Sequence, residues 1–151
     1  MEKRHSLELT SIGIIHSPCK DRGEAPPQGY RSGKISHIEV FKEFEEGLKD
    51  TEGFSHLVVI FWFHKSQGYS LLTRTPWDDT PRGLFATRSP YRPCPLGVTV
   101  VKLISREKNI LKVKGLDALD GTPLLDIKPY ISSIDEKAVI KRGWLEGKLS
   151  R

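Results

Sequence analysis

Apolar residues fall on both sides of the alternation along residues 54–64. Leu57, Val59, Phe61 and Phe63 point one way; His56, Val58, Ile60, Trp62 and His64 point the other. A strand apolar on both faces belongs in the middle of a structure, covered on each side. Weaker patterns predict a first strand over 7–16, through Ile12, Ile14 and Ile15, and a second over 34–40. The stretch 17–33 between them is rich in Gly, Pro and charge and reads as a long loop. The period then changes. Val40, Phe41, Phe44 and Leu48 recur at helical spacing with Lys42, Glu43, Glu45 and Glu46 outside them, which predicts a short helix bracketed by Gly47 and Gly53.

Residues 65–84 show no period and read as irregular. A short strand at 85–87 follows, then strands at 97–104 and 110–116 that pair as a hairpin across 105–109. Lys112 and Lys114 share a face with Ile110, leaving one side of the second of these to solvent. Asp120-Gly121 signals a turn, and 124–130 form a last strand interrupted by Pro129. Seven short strands, one helix and Gly/Pro-rich turns predict a mainly β fold, a small β-barrel with one short helix after the second strand. A Rossmann domain needs strands alternating with helices, and only one helix precedes residue 132. The expected organisation is a single domain over 1–151. Its core lies at about 7–131, and a tail over 132–151 packs Trp144 and Leu145 back on the barrel.

Charge and cysteine content narrow the setting. The 151 residues carry 24 Lys plus Arg against 19 Asp plus Glu, a net charge of +5 that suits a polyanionic partner without requiring one. Cys19 and Cys94 are too few and too far apart for a zinc ligand set, and His16 near Cys19 does not complete one, so no metal is expected. No leader is expected before the first strand, and no apolar run approaches spanning length. The expectation is a cytoplasmic chain with two reduced thiols and no membrane partner.

The densest chemistry lies at residues 85–97, Phe-Ala-Thr-Arg-Ser-Pro-Tyr-Arg-Pro-Cys-Pro-Leu-Gly. Pro90, Pro93 and Pro95 fix extended backbone and deny it helix or ladder hydrogen bonds. Arg88 and Arg92 ride on this stiff rail beside Thr87, Ser89 and Tyr91. From 66 to 101 the chain uses arginine and no lysine. A guanidinium binds carboxylate or phosphate through two parallel bonds and stacks on rings, which lysine does not. Arg74 and Arg82 have a plainer explanation, pairing with Asp78 and Asp79 or lying over Trp77. Rigid mounting lowers the entropy cost of binding, so Arg88 and Arg92 read as a site for an anion or a ring.

A second constellation follows at 116–130, where Asp117, Asp120 and Asp126 lie among apolar residues. Carboxylates accept hydrogen bonds from an amino group or a ribose, and Gly121 allows close backbone approach. The stretch reads either as a binding wall or as a hairpin in which Asp120-Gly121 turns and Asp126 pairs with Lys128. His56 reads as structural, bonding the loop after Gly53, and His64 as a candidate for a pocket rim. Neither a Rossmann nor a Walker A fingerprint is present, nor a Ser/His/Asp order with a nucleophile elbow.

Four stretches resemble, in order, the TsaA-like (TrmO) family. They are Ile12-Gly13-Ile14-Ile15-His16-Ser17-Pro18, Gly53-Phe54-Ser55-His56-Leu57, the rail from Phe85 to Gly97, and Asp117 through Tyr130, together spanning about residues 7–131. The resemblance implies a small β-barrel, usually dimeric, that binds S-adenosyl-L-methionine without a Rossmann fold. It implies a tRNA methyltransferase acting on N6 of threonylcarbamoyladenosine, just 3′ of the anticodon. Arg88, Ser89 and Arg92, with Asp117, Asp120 and Thr122, carry over as the cofactor cleft. A carboxylate or a backbone carbonyl near N6 would take up the positive charge that develops there, and Asp117 or Asp126 are the candidate catalytic carboxylates. Arg88 and Arg92 would hold either the cofactor's carboxylate or an RNA phosphate. Cys94 departs from the family signature, which usually has asparagine there. The alternative is a dimeric module that binds S-adenosyl-L-methionine or RNA and catalyses nothing.

Overall fold

The computed structural model describes residues 2–20 and 33–148. Its strands are β1 (Gly13–His16), β2 (Ile35–Val40), β3 (His56–Trp62), β4 (Leu72–Thr75), β5 (Asp78–Gly83), β6 (Leu96–Glu107), β7 (Ile110–Lys114) and β8 (Thr122–Pro129). Six of them close a barrel in the order β1-β2-β7-β6-β3-β8, and β8 returns to β1. Every pairing is antiparallel. Closure removes the sheet edges that an open sheet would expose.

Alternation fills the barrel. Ile15, Ile38, Leu57, Val59, Leu111 and Leu124 are buried in one cluster. β3 pairs with β6 on one side and β8 on the other, as its central pattern predicts. Its second face is a different matter. Val58 and Ile60 are half-buried and Trp62 is exposed, because a single-layer barrel covers only the inward side.

Several local expectations are corrected. The first strand begins at Gly13, and Leu7 and Leu9 upstream are exposed. Lys42–Leu48 is a 3-10 helix in which Phe44 donates its amide to Phe41 O at 2.8 Å, and only Leu48 is buried. Val40, counted in the helical pattern, instead ends β2 opposite Gly13. Residues 65–84 are not wholly irregular, since β4 and β5 pair as a separate two-stranded sheet. The strand expected at 85–87 is a 3-10 turn, Leu84–Ala86. Other short helical elements are Thr51–Gly53, α1 (Ser132–Asp135) and Gly143–Leu145.

The tail reaches a different neighbour from the one expected. Trp144 bonds to Ala86 O at 2.9 Å and meets Trp77 edge-on, so it packs on the β4–β5 hairpin and the 84–86 turn. Most of the loop read at 17–33 lies outside the described residues. Among those described, no helix is long and apolar enough to cross a membrane.

Candidate functional site

The proline rail is stiff by sequence and is also tied down at both ends. Where it enters β6, Phe63 donates its amide to Pro95 O at 2.8 Å, and Leu96 donates to Cys94 O at 2.8 Å. At its start, Thr87 Oγ1 donates to Leu84 O at 2.8 Å and the Ser89 amide donates to Thr87 Oγ1 at 3.4 Å. Arg92 Nη1 donates to the carbonyls of Thr87 (2.8 Å) and Ser89 (3.2 Å), with its guanidinium 5.8 Å from the Phe85 ring. Arg92 therefore spends donors on bracing the rail. Arg88 is exposed and makes no ion pair or hydrogen bond among the described residues. The two arginines are not equivalent.

A cavity of about 220 Å³ lies between the rail and the barrel mouth. Arg88 and Arg92 of the rail line it together with Asp117 and with Phe61, Phe63 and Gly97 of the barrel. Phe61 and Phe63 pack edge-to-face with ring centroids 5.4 Å apart. Gly97 faces Phe61 in the β3–β6 register, and a Cβ there would sit 2.5 Å from the Phe61 ring and 2.8 Å from Phe63. Only glycine leaves both rings where they are. Asp117 is held by Thr99, a buried residue on the inward side of β6, whose Oγ1 donates to Asp117 Oδ1 at 2.5 Å. A charge-assisted bond of this kind fixes the direction of the carboxylate. The cleft thus offers guanidinium, carboxylate and ring surface within one small volume, a combination that suits a zwitterion with an aromatic group.

Other residues singled out from the sequence take different places. Ser89 shapes the rail, accepting from Arg92 through its carbonyl and from the Tyr91 amide through its hydroxyl at 3.3 Å. Asp120 accepts from Lys20 Nζ at 2.7 Å and from the Ser17 amide at 2.9 Å. The Lys20 hydrogen bond first, and the Ser17 amide second, hold its carboxyl below the usual carboxylate range. Gly121, at φ 83°, turns the chain, and buried Thr122 donates to Leu119 O at 2.6 Å. Asp120 and Thr122 thus build the turn into β8 and do not line the cleft.

Asp126 is not brought to the cleft either. It lies four residues beyond Thr122, about 13 Å along β8 at ~3.3 Å per residue. There it pairs with Lys128 at 3.0 Å and lines a second cavity with Glu43, Phe44 and Glu46. For Asp120 and Asp126 the hairpin reading is the one realised, and Asp117 alone of the three faces the rail.

Arg82 bonds Asp78 at 2.8 Å, and lies over Trp144 rather than Trp77, its guanidinium 4.6 Å from that ring. His56 Nδ1 meets Ser55 Oγ at 2.8 Å, a structural contact. His64 lies edge-on to Trp62, outside the residues lining the cleft; burial, and then Lys65, push its imidazole down. Phe61, Phe63 and Thr99 belong to the site although strand periodicity alone marks them as core. The register that sets Gly97 against Phe61 brings the two rings to the cleft, and it is visible only in the fold.

Residues 14–136 match the family model described as tRNA-methyltransferase O N-terminal domain. The chain is 50% identical over 140 residues to a probable S-adenosyl-L-methionine-binding protein of Archaeoglobus fulgidus, covering 93% of this chain and 38% of that protein. It is 35% identical over 138 residues to the tRNA (adenine(37)-N6)-methyltransferase of Escherichia coli, covering 83% of this chain and 58% of that protein. A crystal structure of TrmO from Pseudomonas aeruginosa superposes with a TM-score of 0.78 at 31% identity, covering 93% of this chain and 63% of that one. The chain therefore spans less than two thirds of the length of each of these three proteins.

Proposed function

The chain belongs to the tRNA-methyltransferase O family, and from that premise we propose that it is an S-adenosyl-L-methionine-dependent tRNA methyltransferase. The proposed acceptor is N6 of threonylcarbamoyladenosine beside the anticodon, and the proposed setting is the cytoplasm. Residues 1–151 are taken as one working unit. One observation carries the reading: a single cleft is lined by Arg88, Arg92 and Asp117 together with Phe61 and Phe63.

Bound in this cleft among Arg88, Arg92 and Asp117, S-adenosyl-L-methionine would supply an activated methyl group to N6, which would give up its remaining proton in exchange. In-line positioning supplies most of the acceleration in such a transfer. Arg88 is assigned to an anionic group of cofactor or RNA, and Arg92 to holding the rail that presents it. Asp117 is assigned to the developing positive charge on N6 and to the departing proton, with Thr99 aiming its carboxylate. Asp120 and Thr122 act indirectly through the β8 turn, and Asp126 takes no part.

A homodimer is part of the proposal. Val58, Ile60 and Trp62 on the outward side of β3 stand directly opposite Val100, Val98 and Leu96 on β6. Trp62, Leu96 and Val98 are 44%, 40% and 50% exposed, an apolar strip of the kind that marks an interface. Leu96 and Val98 also line the cleft, so a second copy docked there would wall it. Trp62→Lys should convert a dimer to a monomer in light scattering.

Two measurements test the activity. Titration calorimetry with S-adenosyl-L-methionine should give heat; none at high protein concentration rejects the cofactor. Labelled methyl should pass to tRNA bearing the threonylcarbamoyl group and not to tRNA lacking it. Cofactor binding with no transfer to either RNA would leave only the non-catalytic binding module.

A further inference from the structure

β6 changes character along its outward side. Leu96, Val98 and Val100 are apolar, and the next outward residue is Lys102. Lys102 stands directly opposite Lys114 on β7 and, on its other flank, opposite His56 on β3. Two residues back along β7, Lys112 stands between Ser105 on β6 and His37 on β2. Lys102, Lys112 and Lys114 are all exposed, and none makes an ion pair or hydrogen bond among the described residues. The carboxylates nearby on these strands and the adjoining turn are engaged or at the far end. Glu39 bonds His16 at 3.0 Å, Glu52 bonds Arg106 at 2.7 Å, and Glu107 pairs with Ile110 at the hairpin turn.

Like charges directly opposed across a ladder weaken it, and an anion seated between them removes that repulsion. The chemistry of the two regions also differs. The rail presents planar guanidinium groups suited to one specific anion. The β6–β7 face presents mobile point charges, which suit a phosphate backbone gripped without reading its sequence. Lys102 lies four residues from Val98 at the cleft, about 13 Å along one strand. A long polyanion can occupy both places at once; a small anion cannot.

We propose that the outward face of β6 and β7 around Lys102, Lys112 and Lys114 docks the phosphate backbone of the RNA whose base enters the cleft. This rests on the tRNA methyltransferase reading above. Each lysine that neutralises a phosphate releases a counterion, so the face contributes both affinity and salt dependence.

The test uses the full chain with Lys102→Gln, Lys112→Gln and Lys114→Gln combined. A control carries Lys42→Gln, Lys49→Gln and Lys141→Gln, which removes the same charge elsewhere. At about 0.1 M salt the face variant should bind tRNA about 10- to 100-fold more weakly than wild type, with a log K against log salt slope shallower by roughly 2–3. The control should stay near wild type. Both variants should keep the wild-type heat with S-adenosyl-L-methionine; the control should keep the wild-type Tm, and the face variant should match or exceed it because the opposed Lys102 and Lys114 charges are gone. Equal RNA affinity and slope in the face variant and wild type overturn the docking face while wild-type methyl transfer keeps the enzyme reading intact. Equal losses in face and control variants also overturn it, by assigning the effect to net charge. A wild-type chain that transfers no methyl to tRNA rejects the enzyme reading separately, and the face then stands or falls on the RNA affinity ratio alone.

Discussion

Trp144 donates its indole N–H to the carbonyl of Ala86 across 2.9 Å, joining residues far apart in sequence at the point where the proline rail begins. The contact sits in a clasp. Arg82 lies over the Trp144 ring at 4.6 Å, and Asp78 bonds both Arg82 at 2.8 Å and Lys148 at 3.3 Å. Ala86 is followed by Thr87, whose carbonyl receives the Arg92 brace. Tail, hairpin and rail are therefore mechanically linked.

Trp144→Phe keeps a ring in place and removes only the N–H donor. The loss should be about 1 kcal/mol of stability, the ordinary worth of one such bond. For a chain of this length that lowers Tm by about 2–4 °C. Cofactor heat should weaken as well, because the rail loses an anchor. Calorimetry on wild type, Trp144→Phe and Trp144→Ala checks both effects; a rail indifferent to the tail leaves binding unchanged in all three.

The arginines separate by role. Arg88→Lys removes a planar donor pair from a side chain that braces nothing, so Tm should hold while ligand affinity falls. A bond to a charged partner is worth about 1.5–3 kcal/mol, equivalent to roughly 10- to 150-fold in affinity. Arg92→Lys should lose affinity and stability together, since its Nη1 serves Thr87 and Ser89. Wild-type binding in both variants rules the rail out as the site.

What the sequence disclosed followed from how far each pattern reached. The alternation in β3 and the β6–β7 hairpin were legible because each side chain's direction follows from its neighbours. The Leu72–Thr75 and Asp78–Gly83 pair was not. Its residues are half-buried or exposed throughout, so no alternation marks it, and it is gripped by a tail remote in sequence. The helical spacing at 40–48 marked a helix that is present after β2, but Val40 belongs to the strand and Phe41–Phe44 follows a three-residue turn, so the helix is 3-10 over Lys42–Leu48. Within the site, Arg88, Arg92 and Asp117 were legible as chemistry. Asp126 was not separable from Asp117 by spacing alone, because only the fold places it mid-way along β8, opposite Ile60 and lining a different cavity.

Gly97→Ala places a methyl 2.5 Å from the Phe61 ring and 2.8 Å from Phe63. Overpacking of this kind costs about 1–3 kcal/mol. The rings must move toward the cleft, so cofactor heat should fall along with Tm. Adding Phe63→Leu should recover part of the Tm by opening space without restoring the ring surface. A Gly97→Ala chain with unchanged Tm and unchanged heat would mean the two rings shift freely and set no floor.

Asp120 makes stability depend on pH in a definite direction. Its carboxyl is held below the usual range, chiefly by the Lys20 hydrogen bond, then by the Ser17 amide. The unfolded chain has the ordinary carboxylate pKa, near ~4. Above that value both states are ionised and the whole contribution is present. As pH falls, the unfolded chain takes up its proton first, so the contribution is lost progressively through the folded pKa. Asp120→Asn keeps an oxygen for the Ser17 amide and removes the charge that Lys20 meets. The wild type should therefore exceed the variant most above about pH 5, and the gap should close on the acid side. At about 1 M salt it should narrow at every pH, because screening reaches within ~3 Å and Lys20 is exposed. Urea melts across that pH range measure the gap directly, and a gap that stays constant with pH removes Asp120 as a source of acid sensitivity.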